Sequence, residues 1–211
     1  MIWLFDYDLT LYGMDEFHVL GSLDQNITRF VMQHLSLAKD AADSLRQEYC
    51  VRFGTTLGGL SALHAVTPQE YFDFIHQGDN LKMPRPAVEL RAWLQDLPGS
   101  CWVFTNARSD WAERGLHAMG IRDCFAGIIA LEHLNWVGKP ASTVYPLVEQ
   151  IVQASGRDIV FYDDKLSNLQ PARDRGWTTV WLHEGETNSS LECDAMIARL
   201  PDLAFRERCR G

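Results

Sequence analysis

Residues 2–10 read IWLFDYDLT, four apolar residues followed by two aspartates with one tyrosine between them. The apolar run is typical of a buried strand. Residues i and i+2 of a strand lie on the same side, so Asp6 and Asp8 would crowd together if the strand geometry continued past Phe5. The sequence therefore predicts that something near the end of this strand offsets the repulsion between two carboxylates.

Four further short segments resemble this strand. They are CWVF before Thr105, GIIA from Gly127, IVFY before Asp163 and TTVWL from Thr178. Helical patterns lie between them: SDWAERGLHAMG (109–120), capped by Ser109 or Asp110 and stopped by Gly120, ASTVYPLVEQIVQASG (141–156) and LSNLQPARDRG (166–176). Alternating strands and helices predict an α/β fold, with a Rossmann-like parallel sheet and crossover helices.

Residues 13–85 interrupt this alternation. Four helical patterns occupy them: FHVLGSLDQNITRFVMQHL (17–35), AKDAADSLRQEYCVRF (38–53), LGGLSALHAV (57–66) and PQEYFDFIHQ (68–77). In GTTLGG (54–59) we expect a helix stop and a threonine N-cap rather than a substrate contact. The sequence thus predicts an all-helical subdomain, 13–85, inserted into a core of 1–12 and 86–211. The segment from 188 to the last residue predicts a loop followed by a short closing helix.

Composition narrows the class of partner. The formal net charge is -9, with 28 acidic and 19 basic residues, which gives no broad positive field for a nucleic-acid polymer. Five widely spaced cysteines contain no C-x-x-C pair, so we expect reduced thiols in a cytoplasmic protein. No apolar stretch is long enough to span a bilayer and the first residues lack a basic leader, so we expect no membrane partner.

Polar residues follow three of the predicted strands. They are Asp6 and Asp8 after the first, Thr105 and Asn106 after the second, and Asp163 and Asp164 after the fourth. In open α/β sheets ligands bind beyond the carboxyl ends of the strands, so these side chains should converge. Four carboxylates at one point require cations, and oxygen ligands of this kind favour Mg²⁺, which also binds substrate phosphate oxygens.

Two carboxylates near a phosphoryl group can divide the chemistry. One can attack phosphorus to form an aspartyl phosphate, while the other protonates the leaving alkoxide and then activates water. The charge on the phosphoryl oxygens requires positioned donors, for which Thr105, Asn106 and Lys139 are suitable residue types. Lys139 also offsets the charge of the carboxylate cluster.

The stretches DYDLT, FTNAR, GKP and YDD, in this order, resemble the four motifs of the haloacid dehalogenase (HAD) superfamily of phosphatases. The resemblance implies an HAD-like core, with the inserted helices as a cap that closes over the substrate. It also implies the following roles: Asp6 as nucleophile, Asp8 as general acid/base, Thr105 and Lys139 as phosphate-binding residues, and Asp163 and Asp164 as metal carboxylates beside Asp6 and the Asp8 carbonyl.

Further stretches resemble the pyrimidine 5'-nucleotidase branch of this superfamily. They are FGTTLGGL, YFDFIHQGDNL, CFAGIIALEHLN and DDKLSNL. This resemblance implies a small nucleoside monophosphate as substrate. Lys165 stands where a serine is common and leaves open which of Asp163 and Asp164 contacts Mg²⁺ directly. Asn168 either hydrogen-bonds a metal carboxylate or caps the following helix.

Several alternative functions remain open. Phosphatases of pyridoxal phosphate or sugar phosphates and phosphomutases share the same aspartyl phosphate chemistry. A dehalogenase is disfavoured because it needs the nucleophile without the metal carboxylates. A non-catalytic HAD-fold binding protein would have no physical need for so many mutually repelling carboxylates. The predicted function is therefore a Mg²⁺-dependent phosphomonoester hydrolase whose partner is a small phosphorylated metabolite.

Overall fold

The computed structural model describes residues 1–13, 16–53, 55–154, 156–184 and 193–201. These residues contain six strands and eight α-helices. The strands are β1 Ile2–Phe5, β2 Ser100–Phe104, β3 Phe125–Ile129, β4 Ile159–Asp163, β5 Thr178–Leu182 and β6 Ala195–Ile197. The helices are α1 Phe17–Leu35, α2 Lys39–Phe53, α3 Thr56–His64, α4 Pro68–Ile75, α5 Val88–Gln95, α6 Ser109–Met119, α7 Tyr145–Val152 and α8 Leu166–Asp174.

All six strands form one parallel sheet in the order β3-β2-β1-β4-β5-β6. Strand β1 is central, because Ile2 pairs with Ser100 of β2 on one side and Ile159 of β4 on the other. The strand order reverses between β1 and β4, which is where doubly wound sheets open a crevice for ligands. The predicted α/β fold with a parallel sheet is confirmed.

The apolar run of β1 is buried in the sheet. Trp3 is 4% exposed, and Leu4 and Phe5 are fully buried. The Phe5 ring stacks on Tyr162 of β4 at 4.8 Å and meets Trp93 of α5 edge-on at 6.0 Å. Unbroken apolar sequence suits a parallel strand covered on both faces, which explains why β1 shows no polar alternation.

The chain divides into two compact units. Met1–Glu16 with Pro84–Gly211 form the core unit, and Phe17–Met83 form the helical unit. Within the helical unit the Thr55 hydroxyl accepts a hydrogen bond from the Gly58 amide, so the predicted threonine N-cap is confirmed. None of the helices in the described residues is long and apolar enough to cross a membrane.

Two elements of the core unit were not predicted. Helix α5 follows the inserted segment, and β6 joins the sheet beside β5. The prediction of a loop over the residues of β6 was therefore wrong, while the short closing helix expected after it falls mainly in residues 202–211, outside the described residues. Helix α7 is shorter than the predicted 141–156, because Pro146 suits only its first turn and Gln153 ends it in a left-handed conformation.

The predicted ends of α6 and α8 agree with the structure only in part. Gly120 caps α6 with a φ of 69°, as predicted, and Gly176 lies two residues beyond the end of α8. Neither Ser109 nor Asp110 is the N-cap of α6; that residue is Arg108, which makes no side-chain capping bond. Instead Glu132 accepts a hydrogen bond from the Ser109 amide at 2.8 Å, so a carboxylate distant in sequence serves the helix start.

Candidate active site

Lys139 lies at the centre of the carboxylate cluster. Its side chain is 1% exposed, and its Nζ lies 2.8 Å from Oδ1 of Asp6, 2.7 Å from Oδ2 of Asp163 and 2.8 Å from the carbonyl oxygen of Phe104. An ammonium has three N–H donors, so these acceptors use all of them. Burial acts to lower the pKa of Lys139, but Asp163 and Asp6 outweigh it and the pKa is raised. Lys139 is therefore a buried cation that ties β1 to β4.

Asp163, the last residue of β4, is fully buried and held by several donors. Besides Lys139, the Lys165 amide donates to its Oδ1 at 2.8 Å, and Nδ2 of Asn168 lies 2.9 and 3.0 Å from its two oxygens. Asn168 therefore hydrogen-bonds the Asp163 carboxylate, and the role of that carboxylate as a metal ligand stays a prediction. Burial raises the pKa of Asp163 to about 6, against the attraction of Lys139.

Asp164 differs sharply from its neighbour. Its Oδ1 is buried but has no hydrogen-bond partner in the described part of the chain, while its backbone carbonyl accepts a bond from Nε1 of Trp181 at 2.9 Å. Burial and then the charge of Asp163 raise the pKa of Asp164, and Lys165 offsets part of this. A buried carboxylate oxygen without a donor is costly, which indicates that a ligand completes its environment.

Asp6 follows β1 and faces both aspartates of the β4 end. Its Oδ1 bonds Lys139, and no donor from the described residues reaches its Oδ2. Burial raises the pKa of Asp6; Lys139 opposes the shift, and the charges of Asp164 and Asp8 add to it. One ligand atom each of Asp6, Asp163 and Asp164 lies within 4.8 Å of the others.

These observations fit a hard divalent cation. The donors are carboxylate oxygens, their pKa values are raised by burial and mutual repulsion, and the buried Oδ1 of Asp164 has no partner among the described residues. Mg²⁺ prefers this donor chemistry and few protein ligands. The residues best placed to hold it are Asp6 and Asp164, because Asp163 already receives Lys139, Lys165 and Asn168 on its oxygens. The metal-binding roles of Asp163 and of the Asp8 carbonyl stay predictions.

Asp8 lies on the turn after β1 and is partly exposed. Its Oδ1 accepts hydrogen bonds from the Tyr12 hydroxyl and from Nε1 of Trp111, the latter at 3.2 Å. Burial raises the pKa of Asp8, and the two hydrogen bonds act against that shift. Neither Tyr12 nor Trp111 was predicted from the sequence as a partner of Asp8. Tyr12 could have been, because it stands only four residues after Asp8.

The two residues after β2 make structural bonds. The Thr105 hydroxyl accepts a hydrogen bond from the Ala107 amide at 3.0 Å. Oδ1 of Asn106 accepts from the Lys139 amide at 2.7 Å, and its Nδ2 donates to the Lys139 carbonyl at 2.8 Å. Asn106 therefore fixes the backbone that carries Lys139. The phosphate-binding roles of Thr105, Asn106 and Lys139 stay predictions.

Comparison with known proteins places the chain in a family. A family model described as haloacid dehalogenase-like hydrolase matches residues 10–176. The chain belongs to the haloacid dehalogenase-like hydrolase family. The matched range of this HAD-like hydrolase begins just after Asp6 and Asp8 and includes the other candidate residues, so the first motif rests on the geometry described above.

One curated relative of this HAD-like hydrolase is Phosphate metabolism protein 8 of Saccharomyces cerevisiae. The two sequences are 26% identical over an alignment of 192 residues, and the match covers 83% of this chain and 59% of the yeast protein. The chain therefore spans somewhat more than half the length of this relative.

Solved structures share the fold over nearly the whole chain. An HAD phosphatase from Thermococcus onnurineus matches with a TM-score of 0.69 and 19% identity, covering 100% of this chain and 98% of that one. YfnB of Bacillus subtilis, whose crystal contains magnesium, matches at 0.64 and 17%, covering 98% of each chain. L-2-haloacid dehalogenase of Xanthobacter autotrophicus matches at 0.62 and 15%, covering 100% and 99%. At these identities the likeness concerns the fold alone.

Proposed function

We propose that this HAD-like hydrolase is a Mg²⁺-dependent phosphomonoester hydrolase that uses Asp6 as its nucleophile. The observation that carries the proposal is the convergence of the Asp6, Asp163 and Asp164 carboxylates, in which the buried Oδ1 of Asp164 has no partner in the described part of the chain. When bound there, Mg²⁺ would supply positive charge to the carboxylates and to the oxygens of a substrate phosphate.

Asp6 and Asp8 divide the reaction between them. Oδ2 of Asp6, which is not occupied by Lys139, attacks phosphorus, and the bond from phosphorus to the leaving oxygen breaks as Asp8 gives that oxygen a proton. Asp8 then takes a proton from a water molecule whose oxygen attacks the aspartyl phosphate, which releases phosphate and restores Asp6. Lys139 keeps Oδ1 of Asp6 bound throughout and fixes the orientation of the attacking carboxylate.

The test of this mechanism is hydrolysis of p-nitrophenyl phosphate with Mg²⁺ and with EDTA, by the wild type and by Asp6→Asn. We expect turnover only with Mg²⁺, and at least a 1,000-fold loss in Asp6→Asn, on the order of the effect of removing a covalent nucleophile. Circular dichroism should show that the variant is folded, because the change hardly alters side-chain shape. Substantial turnover by Asp6→Asn would refute the nucleophile assignment, and full activity in EDTA would favour dehalogenase-like chemistry instead.

For the substrate we propose a pyrimidine nucleoside 5'-monophosphate, with pyridoxal phosphate and sugar phosphates as alternatives. The support is the sequence resemblance to the pyrimidine 5'-nucleotidase branch and the similarity to a yeast protein named for phosphate metabolism. A panel of UMP, CMP, AMP, pyridoxal phosphate and hexose phosphates, ranked by kcat/KM, tests this proposal. A preference for UMP and CMP supports it, whereas a flat ranking indicates a generalist.

The cellular compartment of the enzyme is also part of the proposal. Cys50, Cys101, Cys124 and Cys193 are free thiols in the described part of the chain, and Cys209 lies outside it. Burial raises the pKa of Cys101 to about 12, so this thiol stays protonated and unreactive at neutral pH. Because free thiols persist in reducing compartments, we propose a cytoplasmic enzyme. Its proposed partner is a small phosphorylated metabolite, and the net charge of -9 disfavours a nucleic-acid polymer.

A further inference from the structure

Asp8 is held by two donors from different parts of the core unit. The Tyr12 hydroxyl comes from the turn after β1, and the Trp111 indole comes from α6, which follows β2. Both donors reach the same oxygen, Oδ1. In the described part of the chain no hydrogen bond is made to Oδ2 of Asp8.

The backbone after β1 explains how Tyr12 returns to Asp8. Leu9 adopts a left-handed φ of 63°, and the Leu11 amide donates to the Tyr7 carbonyl at 3.0 Å. This turn reverses the chain and brings residue 12 beside residue 8. Tyr12 is 5% exposed and Trp111 is fully buried, so packing holds both donors in place.

Two donors on one oxygen restrict where a proton can reside on the carboxyl group. An indole N–H can only donate, so it always occupies a lone pair of Oδ1. The Tyr12 hydroxyl occupies a second site on the same atom. The acid proton of Asp8 is therefore carried by Oδ2, the oxygen that no donor among the described residues reaches.

We propose that Tyr12 and Trp111 are positioning residues that aim Oδ2 of Asp8 at the leaving oxygen of the substrate. The inference rests on the proposed function, because it assigns a partner to the general acid of that reaction. The proton moves from Oδ2 to the leaving oxygen as its bond to phosphorus breaks, and Oδ2 receives a proton from water in the second step. Tyr12 and Trp111 exchange no proton and touch no reacting atom.

A general acid matters most when the leaving group is poor. Phenyl phosphates with increasing numbers of nitro groups keep a similar shape while the leaving phenolate becomes more stable and needs less protonation. The parameter kcat/KM reports the steps up to departure of the leaving group. If Oδ2 of Asp8 is misoriented, kcat/KM should therefore fall for phenyl phosphate and stay nearly unchanged for 2,4-dinitrophenyl phosphate. General damage to the site should lower kcat/KM for both esters.

The experiment measures kcat/KM of Tyr12→Phe and Trp111→Phe on phenyl, 4-nitrophenyl and 2,4-dinitrophenyl phosphate, with Mg²⁺ present. We expect each variant to lose about 10-fold or more on phenyl phosphate and no more than about twofold on the dinitro ester. Asp8→Asn is the reference and should show the same dependence on the leaving group with a larger loss.

Matched controls exist in the same unit. The buried Tyr7 hydroxyl has no hydrogen-bond partner in the described residues, and its ring lies 5.3 Å from that of Tyr12. The buried indole N–H of Trp93 likewise lacks a partner there. Tyr7→Phe and Trp93→Phe make the same chemical changes without removing a bond to Asp8, and should leave all three kcat/KM values within about twofold of the wild type.

The outcomes separate the inference from the proposed function. Equal losses on all three esters, or no loss in Tyr12→Phe, would overturn the positioning role while the wild type remained a phosphatase. Absence of wild-type turnover on every ester would overturn the proposed function itself. If Trp111→Phe fails to fold by circular dichroism, Tyr12→Phe, which removes one oxygen atom, decides the question.

Discussion

At the scale of single residues, the site depends on a few side chains that fix their neighbours. Asn106 joins the loop after β2 to the backbone of Lys139 with two hydrogen bonds, and Lys139 joins Asp6 to Asp163. Gly138 permits this arrangement, because a Cβ there would lie 2.6 Å from Oδ1 of Asn106. The side chain of Asn106 thus sets the position of the buried Lys139 ammonium by holding the Lys139 backbone, without contacting the ammonium itself.

This arrangement predicts the effect of Asn106→Ala. The change leaves the amide and carbonyl of Lys139 without their partners, and each unsatisfied buried group costs about 1–3 kcal/mol. Both bonds are only partly buried, so we expect the lower end of the combined cost, about 2 kcal/mol in the free energy of unfolding by urea. We also expect a fall of about 10-fold or more in kcat, because the ammonium shifts from Asp6. Asn106→Asp keeps the acceptor for the Lys139 amide and should be less destabilised; equal stability of both variants and the wild type would contradict the prediction.

At the scale of elements, α6 carries Trp111 to Asp8 and packs closely on the turn after β1. Gly115 is the point of closest approach, because a Cβ at this position would lie 1.4 Å from the Tyr7 hydroxyl oxygen. Both residues belong to the core unit, and the Tyr7 ring is fully buried. The helix therefore requires a residue without a side chain here despite the helical cost of glycine.

Two glycine substitutions should change stability in opposite directions. In Gly115→Ala the new methyl group displaces Tyr7 or α6, and we expect a loss of about 1–3 kcal/mol from overpacking. Gly21 lies within α1, where a Cβ meets no atom within 4 Å, so Gly21→Ala should gain about 0.5–1 kcal/mol. Urea unfolding of both variants measures the two changes. A stabilised Gly115→Ala would show that the contact with Tyr7 relaxes at no cost.

Elements with a clear apolar pattern were predictable from the sequence, whereas α5 and β6 were not predicted. The helices of the inserted segment and the five apolar strands agree with their patterns, because burial dictates the spacing of their apolar residues. Helix α5 carries a readable signal that was missed, the i, i+3, i+4 spacing of Leu90, Trp93 and Leu94. Strand β6 has three residues and forms only because β5 offers an edge, which no local pattern reveals.

The candidate site shows the same division. Strand order brings the residues after β1, β2 and β4 together, so the sequence was enough to predict which residues would meet there. Which acceptor each donor would bind could not be predicted from the sequence, because it depends on side-chain packing. Lys139 donates its three N–H groups to Asp6, Asp163 and Phe104. Trp111 donates to Asp8 although the two residues are 103 positions apart in the chain.

At the scale of the whole molecule, the proposed cation site joins the two halves of the sheet. Asp6 follows β1, and Asp164 follows β4, so an ion held by both would link strands from distant parts of the sequence. Without the ion, repulsion among the carboxylates acts against this arrangement, and burial raises their pKa values. Binding should therefore appear as folding stability as well as activity.

This linkage predicts that Mg²⁺ raises the Tm. At a concentration of about 100 times Kd the gain is about 2.7 kcal/mol, which should be visible by differential scanning calorimetry against a sample in EDTA. Asp164→Asn should abolish the Mg²⁺ response yet melt no lower than the wild type in EDTA, because it removes one of the repelling charges. Asp158→Asn, an exposed residue of the core unit, should keep the full response. A wild type whose Tm ignores Mg²⁺ would contradict the site.

The central position of β1 has a consequence for biosynthesis. Residues 2–5 leave the ribosome first among the strands, yet their neighbours are made about 100 and 160 residues later, at Ser100–Phe104 and Ile159–Asp163. In the interval this apolar segment has no sheet to join. The helices of the inserted segment depend on nearer contacts and can form meanwhile. A nascent chain thus lacks the proposed cation site until Asp164 has been translated.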